Sequence, residues 1–158
     1  MTSRNKQRGF LSLDMAIGLA VFSVVVTLAI AWQIKQMDSQ DYRIAADQQR
    51  TISEALAKYL KDNYSVVLAN AAATVPVQIT VPMLVNTNYL PAGFSPTNAF
   101  GQTIVGLARK PNANQLEVIV VTTGGQTIPE MGIRTIAENL GGPGGFISSA
   151  NPNIVQGV

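Results

Sequence analysis

The stretch that decides the fold is residues 8–32, RGFLSLDMAIGLAVFSVVVTLAIAW. From position 10 to position 32 it runs for 23 residues, and Asp14 is its only charge. About 20 apolar residues of helix cross a bilayer core, so the stretch reads as a membrane span. An unpaired carboxylate inside such a span costs about 2.5–3.5 kcal/mol or more. Asp14 therefore requires a partner, a seat at the interface, or a different reading of the segment. Three basic residues, Arg4, Lys6 and Arg8, precede the span, and Asp38, Asp41 and Asp47 follow it. That asymmetry predicts a cytoplasmic N-terminus and a body on the far side, with Trp32 at the far interface.

Working outward, the chain after Trp32 has no proline or glycine until Pro76. Ile52, Leu56, Tyr59 and Leu60 fall on one helical face. Arg50–Glu54, Glu54–Lys58 and Lys58–Asp62 place opposite charges four residues apart on another face. The pattern predicts one helix from about Phe10 to about Tyr64, roughly 80 Å long at 1.5 Å per residue. Its first half is apolar all round and its second half is amphipathic. Residues 66–81 read as loop with one extended piece, and TVPMLVN (80–86) as a short helix capped by Thr80 or Thr87. Two β-rich runs, 103–108 and 116–122, flank the turn-prone KPNAN. In LEVIVV (116–121) both faces are mostly apolar, which predicts a central, covered strand. Pro129 suits a first helical position, giving a helix over 129–140. A short strand is expected at 146–148, with no stabilising element after it.

Composition narrows the function classes. The 158 residues include no cysteine and no histidine. This removes thiolate metal sites, thiol catalysis and Ser-His-Asp chemistry. Outside the first nine residues there are eight basic against nine acidic side chains, so the body carries no basic footprint for nucleic acid. The clusters Gly124–Gly125 and Gly141–Gly145 lack a phosphate loop's Lys-Ser/Thr ending and read as turns. Glu117, Glu130 and Glu138 read as solvated surface acids. Tyr59, Tyr64, Tyr89 and Phe94 read as packing the helix against the head, and Gly18 as a point of close packing between spans or of local relaxation. No cofactor, no metal and no internal repeat is expected.

A short basic leader ending in Gly9, then Phe10, then an apolar span with an acid five residues after the glycine, closely resembles the prepilin signal of type IV pilins and type II secretion pseudopilins. The resemblance implies cleavage by a prepilin peptidase after Gly9 and methylation of the new N-terminal Phe10. Asp14 would then set register by pairing with a neighbouring subunit's N-terminal amine. The family usually has glutamate there, and aspartate shortens the reach. Physical logic points the same way. An amine created at Phe10 and the Asp14 carboxylate are both costly alone in an apolar zone, and as a pair they specify register more than they stabilise.

The head carries a second resemblance. ISEALAKYLKDNYSVV, VQITVPMLVNTNYLPAGFSPTNAFGQ and LEVIVVTTGGQTIPEMGIRTIAENLGGPGGFI occur in that order. Together they are similar to the N-terminal constant region of shufflon-type (PilV-like) minor pilins of type IVb conjugative thin pili. The resemblance implies an α+β type IV pilin fold, with a long N-terminal helix packed on a small antiparallel sheet head. The parts expected are a leader (1–9), a membrane half (10–32) and an amphipathic half (33–64) of the long helix, a head (65–148) and a tail (149–158). The expected partners are prepilin peptidase, other pilin subunits, the inner-membrane assembly machinery and, before assembly, membrane lipid. In full-length relatives a β-rich stalk and a switched tip follow, and the tip selects recipient-cell glycans. This chain stops where that stalk would begin, so a truncated form or a fragment is expected. Two rival readings share parts of the pattern. One is a type II secretion pseudopilin, against which no Asp-rich loop is present. The other is a signal-anchored periplasmic domain with an intact N-terminus.

Overall fold

The longest element, α1 (Phe10–Asp62), follows from the absence of helix breakers over its whole run. The computed structural model describes residues 10–157, with side chains described for 15–33 and 39–157. Two compact units divide the chain, Met1–Ser39 and Gln40–Val158. In the first, the described side chains are those of residues 15–33, in the apolar stretch of α1, and of Ser39.

In the second unit, the amphipathic half of α1 buries the expected face. Ile52, Leu56 and Tyr59 are buried, and Leu60 packs against them partly covered. Ala45, Ala46 and Ala55 are buried on the same half of the helix. The helix breaks at Asn63, as predicted, but the chain resumes at once as α2 (Tyr64–Asn70), where a loop was expected. Asn63 explains both events. Its amide and its side-chain Nδ2 both donate to the Tyr59 carbonyl, at 2.9 and 3.0 Å. Its own carbonyl accepts from the Val67 amide. The ladder is thus handed on rather than ended.

Strand β1 (Val77–Thr80) is the extended piece expected before the short helix α3 (Val81–Asn86). Thr80 is the N-cap, its hydroxyl accepting from the Met83 amide, and Thr87 closes the other end. Strands β2 (Thr103–Asn112) and β3 (Gln115–Thr123) form the predicted hairpin. They run further than the β-rich cores, meeting at Asn112 and Gln115 across a two-residue turn, with an irregularity between Arg109 and Asn112. The sheet order is β1-β2-β3, antiparallel throughout. The central strand is therefore β2, and β3 is an edge. This corrects the expectation of a central LEVIVV strand: Val118 and Ile119 are 40% and 43% exposed. An apolar pattern on both faces of a strand reports what side chains require, not how many neighbours the strand has.

Ile104, Gly106 and Ala108 of β2 face α1 and are buried. Gly106 sets the approach, because a Cβ there would come within 2.7 Å of Leu56 Cδ2. The loop before β2 is held by amides. Gln48 Nε2 donates to the Ser95 and Thr97 carbonyls, and buried Asn98 accepts from the Phe100 and Gln102 amides. Phe100 stacks on Tyr42, with ring centroids 5.6 Å apart.

Helix α4 (Glu130–Leu140) starts one residue later than expected, with Pro129 as its N-cap. Gly132 lies under the Tyr42 ring, where an added Cβ would sit 2.6 Å from Cζ. The expected terminal strand is β4 (Gly145–Ile147). A further strand, β5 (Val155–Gly157), pairs with it, where no element was predicted.

Candidate functional site

The sequence-predicted site falls mostly outside the described residues. Arg4, Lys6, Arg8 and Gly9 lie there. Phe10 opens α1 and Asp14 lies in its second turn, but their side chains are outside the described residues as well. The described part of the span is Met15–Gln33, 19 residues long and apolar enough to cross a membrane, with none of it buried. Met15, Phe22, Leu28 and Trp32 are each at least 65% exposed. Fully burying one large apolar side chain is worth about 1.5–3 kcal/mol. Exposure of this many in water is therefore untenable, and the surface requires a cover. Thr27 conceals its hydroxyl on the Ser23 carbonyl, at 2.8 Å, which removes one polar group that lipid or packed helices would penalise. An added Cβ at Gly18 would meet nothing within 4 Å, so this glycine leaves a shallow notch in the apolar surface.

Among the described residues, no three His, Cys, Asp or Glu side chains cluster to hold a metal. Glu117 pairs with Arg109 across the hairpin, its Oε2 2.6 Å from Arg109 Nη2 and 2.8 Å from Nε. Glu130 pairs with Arg134 at 3.6 Å along α4. The three predicted i,i+4 pairs on α1 are not what forms. Arg50 pairs with Asp47 at 3.3 Å and also donates to the Asn139 carbonyl. A cation there suits the carbonyl-rich C-terminus of α4, and this tertiary contact takes Arg50 from Glu54. Asp62 accepts instead from the Tyr89 hydroxyl at 2.9 Å. That hydrogen bond, then desolvation, raises the Tyr89 pKa above its ordinary value near 10.0. Tyr59, Tyr89 and Phe94 do the packing expected of them, whereas Tyr64 is 42% exposed and lies outside the core. Tyr59 and Tyr89 meet edge to face at 5.4 Å, Phe94 packs on the core, and Tyr64 donates to the Asn114 carbonyl at the hairpin turn.

The feature that sequence reasoning missed is a groove along β3. It is lined by Ile119 through Thr122 of that strand, by Ile133, Ile136 and Leu140 of α4, and by all three residues of β4. Only the mismatch between an apolar-on-both-faces strand and a single strand partner points to it, and strand order is not legible in the sequence.

A family model described as "Bacterial shufflon protein, N-terminal constant region" matches residues 35–157. Shufflon protein A' and shufflon protein B of Escherichia coli are each 29% identical to the chain over 147 residues, which is 89% of it. The match takes in 33% and 32% of those proteins, so the chain spans about a third of the length of the curated relatives it matches. No solved structure matches it.

Proposed function

The chain belongs to the family of bacterial shufflon protein N-terminal constant regions, and on that premise we propose that it is a minor pilin subunit of a type IVb pilus. In this reading prepilin peptidase cuts after Gly9 and methylates Phe10. The apolar half of α1 holds the subunit in the inner membrane, with the head in the periplasm. Assembly then draws the subunit into an extracellular filament, where spans of neighbouring subunits replace lipid. Asp14 pairs with the N-terminal amine of an adjacent subunit and fixes axial register. Arg4, Lys6 and Arg8 hold the leader on the cytoplasmic side. The protein acts as an assembly component rather than an enzyme. Adhesion to a recipient-cell glycan, which the resemblance implies for full-length members, is assigned to no residue of this chain.

The observation that carries this reading is the apolar surface of Met15–Gln33, exposed throughout, on an element whose later half is anchored in a packed head. Lipid covers such a surface before assembly, and helix packing covers it afterwards. The test is fractionation of sheared pili from cells that make the chain with its assembly machinery. The chain is expected in the filament fraction without its first nine residues. Retention of all of it in the membrane fraction, in cells that do make pili, overturns the proposal.

A further inference from the structure

Two unpaired strand edges border the same groove. Strand β3 is hydrogen-bonded only to β2, and β4 only to β5. Four consecutive residues of β3 and all three of β4 line the space between them. A groove that meets consecutive residues touches a strand's edge rather than one of its faces, since alternate side chains point opposite ways. Among the described residues, no backbone hydrogen bond outside the ladders involves residues 117–123 or 145–147. The floor is shared by one face of α4, where Ile133, Ile136 and Leu140 recur at helical spacing, and by Ala45 and Gln49 of α1. The space is about 250 Å³, more than the roughly 150 Å³ of an apolar cavity that takes up benzene. None of the lining side chains is charged.

We infer that this groove is an acceptor site for one extended, apolar peptide strand, which would join β1-β2-β3 and β4-β5 into a single continuous sheet. An unpaired edge is a template for strand addition, main-chain hydrogen bonds supply the affinity, and alternate side chains supply the selectivity. The occupant is a segment of the polypeptide that follows the constant region in shufflon proteins. Two observations select it. The chain spans only about a third of those relatives. The match to the constant-region family runs to residue 157, the end of β5, and Val155 of that strand lines the groove. A second copy is a poor occupant through its own β3, because that edge carries its own α4 and β4 alongside and cannot enter as a bare strand. Exposed Ile119, Ile147 and Val155 at the groove are apolar groups that such a strand would cover. The inference rests on family membership and not on processing at Gly9, so an uncut N-terminus would leave it standing.

Amide hydrogen exchange tests it, measured on this chain and on full-length Escherichia coli shufflon protein B. The outward amides of β3 and β4 are expected to exchange rapidly in this chain. Their counterparts in the full-length protein are expected to be protected by about tenfold or more beyond that. An aspartate at the counterpart of Ile147 should remove the added protection while the β1–β2 amides, which report folding, stay slow. Equal exchange in the two proteins overturns the inference. So does protection in this chain that rises with its own concentration, which would make a second copy the occupant.

Discussion

At the scale of single residues, the proposed assembly chemistry rests on Gly9, Phe10 and Asp14, and the fold rests on a few close approaches. Gly9→Val should block the peptidase, which in the family requires a small residue there. Uncut precursor on an immunoblot is the expected result, and normal processing counts against the reading. Asp14→Ala should leave membrane insertion intact, because the span becomes more apolar, yet exclude the subunit from sheared pili. Within the head, two adjacent glycines separate conformation from crowding. Gly124 and Gly125 both have positive φ, at 72° and 66°. A Cβ on Gly124 meets nothing within 4 Å, whereas one on Gly125 would lie 2.6 Å from backbone atoms of residues 100–102. Gly124→Ala should cost about 1–2 kcal/mol from left-handed backbone alone. Gly125→Ala should cost distinctly more, and the difference is readable in denaturant midpoints. Tyr89 offers a titration. Its pKa is raised, first by the hydrogen bond to Asp62, so the contact is fully present below the ordinary tyrosine pKa and is lost as pH rises through the elevated one. Absorbance titration should show a tyrosine ionising above the usual range, returning toward it in Asp62→Asn.

At the scale of elements, the long helix, its packed face and the hairpin were legible because each rests on local chemistry. The absence of breakers to Pro76, the 52/56/59/60 spacing and two β-rich runs around KPNAN all depend on nearby residues. Leu56 joins helix to sheet, being 2% exposed and seated over Gly106. Leu56→Ala should therefore destabilise the head by about 2–5 kcal/mol, seen as a lower denaturant midpoint with the apolar span still membrane-inserted. What the sequence did not disclose is non-local. The edge position of β3 depends on strand order. The capture of Arg50 by the end of α4 depends on two segments 89 residues apart. The β4–β5 pair depends on two three-residue strands too short to carry a periodic signal. Helix α2 was missed for a smaller reason: the Val-Val and Ala-rich stretch around it looks like loop once the helix before it has ended.

At the scale of the whole molecule, the chain pairs a surface that water cannot satisfy with a head that satisfies its own core. The basic N-terminal residues, the exposed span and the shufflon-family head are accounted for together if the membrane is a waiting place and the filament the destination. A simple signal anchor explains the span but gives no role to Gly9, Phe10 and the five-residue offset to Asp14. The two accounts differ in one covalent fact. Intact-mass spectrometry of the chain, extracted from the membranes of cells with an active prepilin peptidase, reads it directly. The account predicts a mass lacking Met1 through Gly9 and carrying one added methyl group. A full-length, unmethylated mass in those cells would contradict it.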